Sequence, residues 1–257
     1  MANTKDLKIG DKLFGLFKGE PGTGKTIGAA SFPAPYIFDL DSRLAPVRLR
    51  FPEKDIVFDS YFNNFIGMMK KFEELLNYNP YETIIVDSLT SFARTVLSHM
   101  VKYRVGEDRT KKLQRGGLDV AQIEDYGGET AAIVQLIDAL KVLGGKCNII
   151  LIAHVVVSDA YNIKTQQVTT SRQLLTGGKK IAAEIPTAFN EAWHFSCRSD
   201  FNSRPQFMIN TQQTGVDWAK TALPIPYEID WTDKNLYELI QSYLKTETKT
   251  ETKAGGF

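Results

Sequence analysis

Residues Leu13–Thr26 read LFGLFKGEPGTGKT, and this stretch decides the fold. Leu13–Lys18 is a short apolar run, the pattern of a buried strand. Gly19–Thr26 is a complete G-x-x-x-x-G-K-[ST] phosphate-binding loop, and Thr26–Ser31 continues as a helix. The glycines let backbone N–H groups curl toward an anion, and the helix N-terminus adds its positive end. Gly19, Glu20, Pro21, Gly22, Thr23, Gly24, Lys25, Thr26 and Ile27 are therefore expected to cradle ATP. Lys25 would reach the β- and γ-phosphates, and the Thr26 hydroxyl would ligate Mg²⁺.

The composition suits this reading. The chain has 257 residues, 43% hydrophobic and 24% charged, enough for one α/β domain with a sizeable core. Its net charge of +1 gives no global signal for nucleic acid, so any such surface must be a local patch. Cys147 and Cys197 lie far apart in apolar runs, the pattern of buried free thiols in a reducing compartment. With no signal peptide or bilayer-length apolar run, the expected location is the cytoplasm, with no membrane partner.

Strand and helix signals alternate along the chain, which predicts a mostly parallel sheet flanked by helices. Expected strands are Leu13–Lys18, Tyr36–Leu40, Ile56–Phe58, Thr83–Asp87 and Asn148–Ala153. Two helical faces are legible: Phe62, Phe65, Ile66, Met69, Phe72 and Leu76, then Ile133, Leu136, Ile137, Leu140 and Leu143. Val155–Tyr161 and Gln166–Leu175 predict a hairpin. Ala192–Cys197 and Gln206–Thr211 read as antiparallel strands at the C-terminal edge. Asp233–Leu244 predicts a closing helix. One domain over residues 1–244 is expected, with a disordered polar tail over 245–257 (KTETKTETKAGGF).

The second motif is Glu82–Ser88, ETIIVDS, in which Asp87 ends an apolar strand and would support the metal with Thr26. Ser88 stands where a catalytic carboxylate would sit in many AAA+ sites, so the group that orients the attacking water must come from elsewhere. Tyr36–Asp41, YIFDLD, offers Asp41 and its rival Asp39.

These residues resemble the RecA and RadA-type recombinases, in which a strand ends in D-x-E followed by x-x-L-x-P. Asp39, Leu40, Asp41, Leu44 and Pro46 match that pattern, with Asp41 in place of the Glu. IIVDSLTSFAR (Ile84–Arg94) is similar to the metal-aspartate motif of the same family, and IILIAH (Ile149–His154) to its sensor strand, with His154 at the sensing position. Taken together, GKTIGAASFPAPYIFDLD and these motifs resemble the small phage-encoded RecA-like ATPases, which include single-strand-annealing recombinases. The resemblance covers roughly residues 10 to 228. It implies a RecA-like P-loop NTPase core, ATP hydrolysis in a ring or filament of identical subunits, and single-stranded DNA as partner, with a single-strand-binding protein as a further one. It also implies a cation supplied in trans. Trp218-Ala219-Lys220-Thr221 resembles that element, with Lys220 in the first position and Ala222 where a second basic residue is usual.

Two basic segments occupy the places of the DNA-binding loops in that family. Lys102–Arg115 carries Lys102, Arg104, Arg109, Lys111, Lys112 and Arg115 against Glu107 and Asp108, a net of +4. Ser158–Lys180 carries Lys164, Arg172, Lys179 and Lys180 against Asp159, a net of +3. Tyr103 and Tyr161 would stack on bases. Two other readings stay open on the same core: an ATP-driven translocase or helicase, and a regulatory or assembly module that never touches DNA.

Overall fold

Thr83–Asp87 and Asn148–Ala153 are apolar without alternation, which a strand tolerates only where both its faces are covered. The computed structural model describes residues 12–107, 114–115, 118–162, 166–176, 179–214 and 218–254, and it covers both faces of these strands. In chain order the elements are β1 (Phe14–Gly19), α1 (Lys25–Ala30), β2 (Pro35–Asp39), α2 (Ala45–Arg50), β3 (Val57–Ser60), α3 (Phe65–Asn77), β4 (Thr83–Asp87) and α4 (Leu89–Glu107). They continue as β5 (Gln114–Arg115), β6 (Leu118–Asp119), α5 (Ile123–Gly144), β7 (Asn148–Asn162), β8 (Gln167–Leu174) and α6 (Lys179–Glu184). A 3-10 turn (Ile185–Ala188) leads to β9 (Glu191–Ser199), β10 (Pro205–Asn210), β11 (Glu228–Asp230) and α7 (Leu236–Ala254).

The main sheet runs β11-β10-β9-β1-β7-β4-β2-β3, with β8 paired to the outer half of β7. From β9 to β3 every pairing is parallel. Antiparallel β10 and β11 close the C-terminal edge. The expected α/β architecture is thus present, with one shift: Ala192–Cys197 lies inside the parallel body as β9, and the antiparallel edge begins one strand later.

Successive residues of a strand point to opposite faces, and the core divides accordingly. Leu16, Phe38, Ile84, Val86, Ile149 and Leu151 pack with α3, α4 and α5. Phe17, Ile37, Ile85, Ile150 and Ile152 face the other way, against Ala29, Phe32, Trp231, Leu236 and Ile240. α3 turns Met68, Phe72 and Leu75 inward, with Phe65 and Leu76 half-buried, whereas Phe62 and Ile66 are exposed. The inward face is therefore rotated by about one residue from the expected one. α5 buries Ile133, Leu136, Ile137, Leu140 and Leu143 as its periodicity requires.

Three further expectations change. β7 does not end at Ala153 but continues unbroken into the hairpin. Cys147 is buried, whereas Cys197 is exposed, because β9 loses its cover beyond Phe195. α7 continues to Ala254, beyond the expected helix end at Leu244: once Leu236 and Ile240 have anchored the first turns, each added residue avoids the cost of nucleation. Residues 255–257 lie outside the described residues. Among the described residues, no helix is long and apolar enough to cross a membrane.

Candidate nucleotide-binding site

Parallel strands of one sheet end on a common side, and ligands bind there. Here that side gathers Gly19, Asp39, Asp87 and His154: Gly19 is in register with His154, and Asp39 with Asp87. β7 lies between β1 and β4, so His154 is carried between the glycine loop and Asp87.

The loop's backbone depends on glycine where the chain crowds itself. Gly24 has φ of 83°, and a Cβ there would lie 2.7 Å from the Trp231 ring. A Cβ on Gly19 would lie 2.2 Å from the Phe195 carbonyl oxygen. The Thr23 hydroxyl donates to Glu20 O at 2.8 Å, which ties the loop to itself. Lys25 Nζ donates to Gly19 O at 3.0 Å and Glu20 O at 2.7 Å. Burial lowers the Lys25 ammonium to about 8, opposed by Asp87, Asp41 and Glu20. Lys25, Asp41, Asp87 and His154 line one cleft with Pro21–Ile27, Arg43, Pro46, Val47 and Phe207.

Thr26 Oγ1 donates to Asp87 Oδ2 at 2.7 Å. Burial raises the Asp87 carboxyl to about 6; the Thr26 hydroxyl opposes this, and Asp41 and Asp39 add to it. A hydroxyl beside one carboxylate is an oxygen pair that suits Mg²⁺, which takes its other ligands from phosphates and water. The residues thus fit the expected metal, with Thr26 and Asp87 as its protein ligands.

Asp41 is separated from its rival by geometry. The Asp39 carboxylate accepts the backbone N–H of Asp41 at 3.2 Å and of Ser42 at 2.7 Å, so it serves the turn after β2 and does not line the cleft. Asp41 faces the cleft. Ser88 Oγ donates to its Oδ2 at 3.3 Å, Ser91 Oγ to its Oδ1, and His154 Nε2 lies 3.7 Å from Oδ2. Burial pushes the Asp41 carboxyl up, but His154, Ser91 and Ser88 outweigh it and hold it below the usual carboxylate range. Asp41 is therefore ionised at neutral pH. The His154 backbone N–H is held by Thr90 Oγ1 at 3.3 Å.

Sequence reasoning missed Ser91 as a partner of Asp41, Arg43 and Phe207 as lining residues, and Trp231 beneath the loop. Ser91 could have been found, since it lies in the first turn of α4, three residues after Ser88. Trp231 gives no local signal, because its contact with Gly24 spans most of the chain.

The basic segments are placed differently from expectation. Lys102 and Arg104 lie in the last turns of α4, not in a loop, because the helix continues through its half-buried Val101 and Val105. Lys102 and Tyr103 are exposed there. Arg104 is committed to the fold: its Nη2 lies 2.9 Å from Asp125 Oδ2, with the two side chains 9% and 4% exposed, and it also donates to Val120 O. Arg109, Lys111, Lys112 and Lys164 lie outside the described residues. Arg115 belongs to β5, and Arg172 lies half-buried on β8 opposite Val157. Lys179 and Lys180 open α6, which is anchored by buried Ile181 and Ala182. Lys220 pairs with Ala192 near the start of β9, toward the end of the sheet away from the loop, with Nζ 3.4 Å from Thr187 O. It does not line its own chain's cleft.

Among solved structures the chain is similar to a KaiC-like protein from the hyperthermophilic archaeon Pyrococcus horikoshii, at 14% identity and a TM-score of 0.45 over 77% of each chain. No curated protein matches the chain. The AAA domain family matches residues 12–222, which takes in the glycine loop, Asp41, Asp87, His154 and Lys220. Most of the chain lies within that match, and the chain belongs to the AAA domain family.

Proposed function

We propose that this AAA-type ATPase is an ATP-dependent, single-stranded-DNA-binding recombination protein, which hydrolyses ATP at an interface between copies of itself and promotes annealing or strand pairing. One observation carries the reading. His154 sits 3.7 Å from Asp41 in the cleft, and it is also where β7 leaves the parallel sheet and begins its hairpin with β8, Leu175 N–H donating to His154 O at 2.9 Å. A change at the terminal phosphate is therefore transmitted to the hairpin that carries Arg172.

In this reading Lys25 and the loop amides hold the triphosphate, and Asp41 orients the attacking water as its base. Mg²⁺ held by Thr26 and Asp87 supplies charge neutralisation on the phosphates. The Asp41 carboxylate is kept in its basic form by Ser88, Ser91 and His154. Lys220, remote from its own cleft, is available to a neighbouring subunit. Lys102 and Tyr103, exposed on α4, and the hairpin provide the strand-binding surface.

The test is the ATPase rate with and without single-stranded DNA at two salt concentrations. Stimulation that weakens at high salt is expected. A rate indifferent to DNA, with no salt-sensitive binding, would make the chain a regulatory or assembly module instead. Directional strand displacement would make it a translocase.

A further inference from the structure

Asp39 closes β2 with its carboxylate turned back on the following chain. The backbone N–H groups of Asp41, Ser42 and Arg43 all converge on it. Ser42 adopts a left-handed φ of 54°, and its hydroxyl lies 3.3 Å from that of Ser60 at the end of β3. The turn is thus pinned on two sides. Its pinning delivers two side chains to the cleft, Asp41 and Arg43, while Ser42 between them is held toward β3.

The sheet order tells which end of a bound nucleotide Arg43 meets. Asp41 follows β2, Asp87 ends β4 and His154 lies on β7 at the end of its parallel pairing, all on one side of β1; Phe207 enters the cleft from β10 on the other side. Thr26 and Asp87 mark the metal-linked, terminal-phosphate end. Arg43 stands two residues after Asp41, at that same end.

Charge makes the same point. Among the described residues that line the cleft, Lys25 and Arg43 are the lysine and arginine side chains, facing the carboxylates of Asp41 and Asp87. Lys25 is buried and engaged with loop carbonyls. Arg43 is exposed at the mouth, and no carboxylate of the described residues pairs with it. A triphosphate differs from a diphosphate by one strongly anionic group, and its guanidinium fork suits that group.

We propose that Arg43 is a phosphate-binding residue supplied in cis, which grips the terminal phosphate of a bound nucleoside triphosphate and makes the Asp39–Arg43 turn distinguish triphosphate from diphosphate. The proposal rests on the reading of the cleft as an ATP site, and it does not depend on DNA or on a neighbouring subunit.

The experiment is calorimetric binding of a non-hydrolysable ATP analogue and of ADP, both with Mg²⁺, to the full chain and to Arg43→Gln and Arg43→Lys. Arg43→Gln is expected to weaken the triphosphate about tenfold, the effect of one charge-assisted hydrogen bond. ADP affinity should stay within about twofold, so the preference for triphosphate collapses. Arg43→Lys should fall between. An unchanged preference in Arg43→Gln, or equal loss of both nucleotides, overturns the proposal. So does a lower melting temperature of nucleotide-free Arg43→Gln, which would place Arg43 in the fold. The assay contains no DNA, so failure of DNA stimulation leaves the proposal standing; a wild-type chain that binds neither nucleotide overturns both.

Discussion

Thr26 and Asp87 are joined hydroxyl to carboxylate at 2.7 Å, across sixty-one positions of sequence. The bond links the helix that follows the glycine loop to the end of β4; it opposes the effect of burial on the carboxyl, but burial prevails and raises Asp87 to about 6. Between the ordinary carboxylate value of 3.8 and about 6, the folded chain holds a proton that the unfolded chain has released. This group's contribution to stability therefore falls as pH rises through that window. Asp87→Asn should be more stable than the wild type at pH 7.5 in Mg²⁺-free buffer, by up to about 3 kcal/mol, and should lose hydrolysis. A thermal melt in which the Asn variant is no more stable would remove burial as the dominant cause.

Nucleotide affinity should be bell-shaped in pH. Below about 6 Asp87 takes up its proton and Mg²⁺ binding weakens; above about 8 Lys25 loses the charge that a polyphosphate needs. Titration of ATP–Mg²⁺ across pH 5 to 9, roughly the span of both groups, should give a plateau between the two limbs. A profile flat on the alkaline side would show that Lys25 stays charged.

Asp39 and Asp41 should fail in opposite ways. Asp41→Asn is expected to lower the hydrolysis rate about 10²–10⁴-fold, the usual loss for a general base, with nucleotide affinity retained. Asp39→Ala removes the acceptor for the turn's backbone N–H groups, so it should cost roughly 1–3 kcal/mol of stability. The pair of variants compared by melting and by turnover decides the assignment; equal loss of turnover with equal melting points would contradict it.

Gly22 and Gly24 share a positive φ, 80° and 83°, but not their surroundings. A methyl on Gly22 meets nothing within 4 Å, whereas one on Gly24 meets Trp231 at 2.7 Å. Gly22→Ala should cost about 1 kcal/mol from backbone strain alone. Gly24→Ala should cost about 1–3 kcal/mol more, since ring and loop must part. Melting points in the reverse order would exclude the Trp231 contact as the cause.

Arg104 and Lys102 are expected to separate the fold from the proposed strand-binding surface on one helix. Arg104→Ala breaks the contact with Asp125 and should lower the melting temperature by about 4 °C or more. Lys102→Ala, fully outside that contact, should leave the melting point alone and reduce any salt-sensitive affinity for single strands. Loss of DNA affinity in Arg104→Ala without a change in melting would reverse the two roles.

Legibility in the sequence followed the range of the physics. The glycine loop, β4 and the buried face of α5 were readable because each is dictated by local backbone geometry or by periodicity. Which of Asp39 and Asp41 faces the cleft was not legible, because it depends on whose N–H groups Asp39 accepts. The start of the basic stretch at Lys102 looked like a loop because charge is prominent in a sequence, whereas the pairing that takes Arg104 into the fold lies between two helices. Trp231 beneath Gly24 and Lys54, whose ammonium donates to the carbonyls of Ala30, Ser31 and Phe32 at the end of α1, are products of packing alone.

β7 is fifteen residues long and passes His154 without a break. From His154 to Asn162 it spans about 26 Å at ~3.3 Å per residue. Under the proposed function the hairpin would act as a lever whose fulcrum is the edge of the parallel sheet. A tilt of about 3° at His154 sweeps the far end through roughly 1.4 Å over that length, a gain set by strand length alone. Shortening the hairpin by paired deletions would reduce the stroke in proportion while leaving the nucleotide cleft as it is.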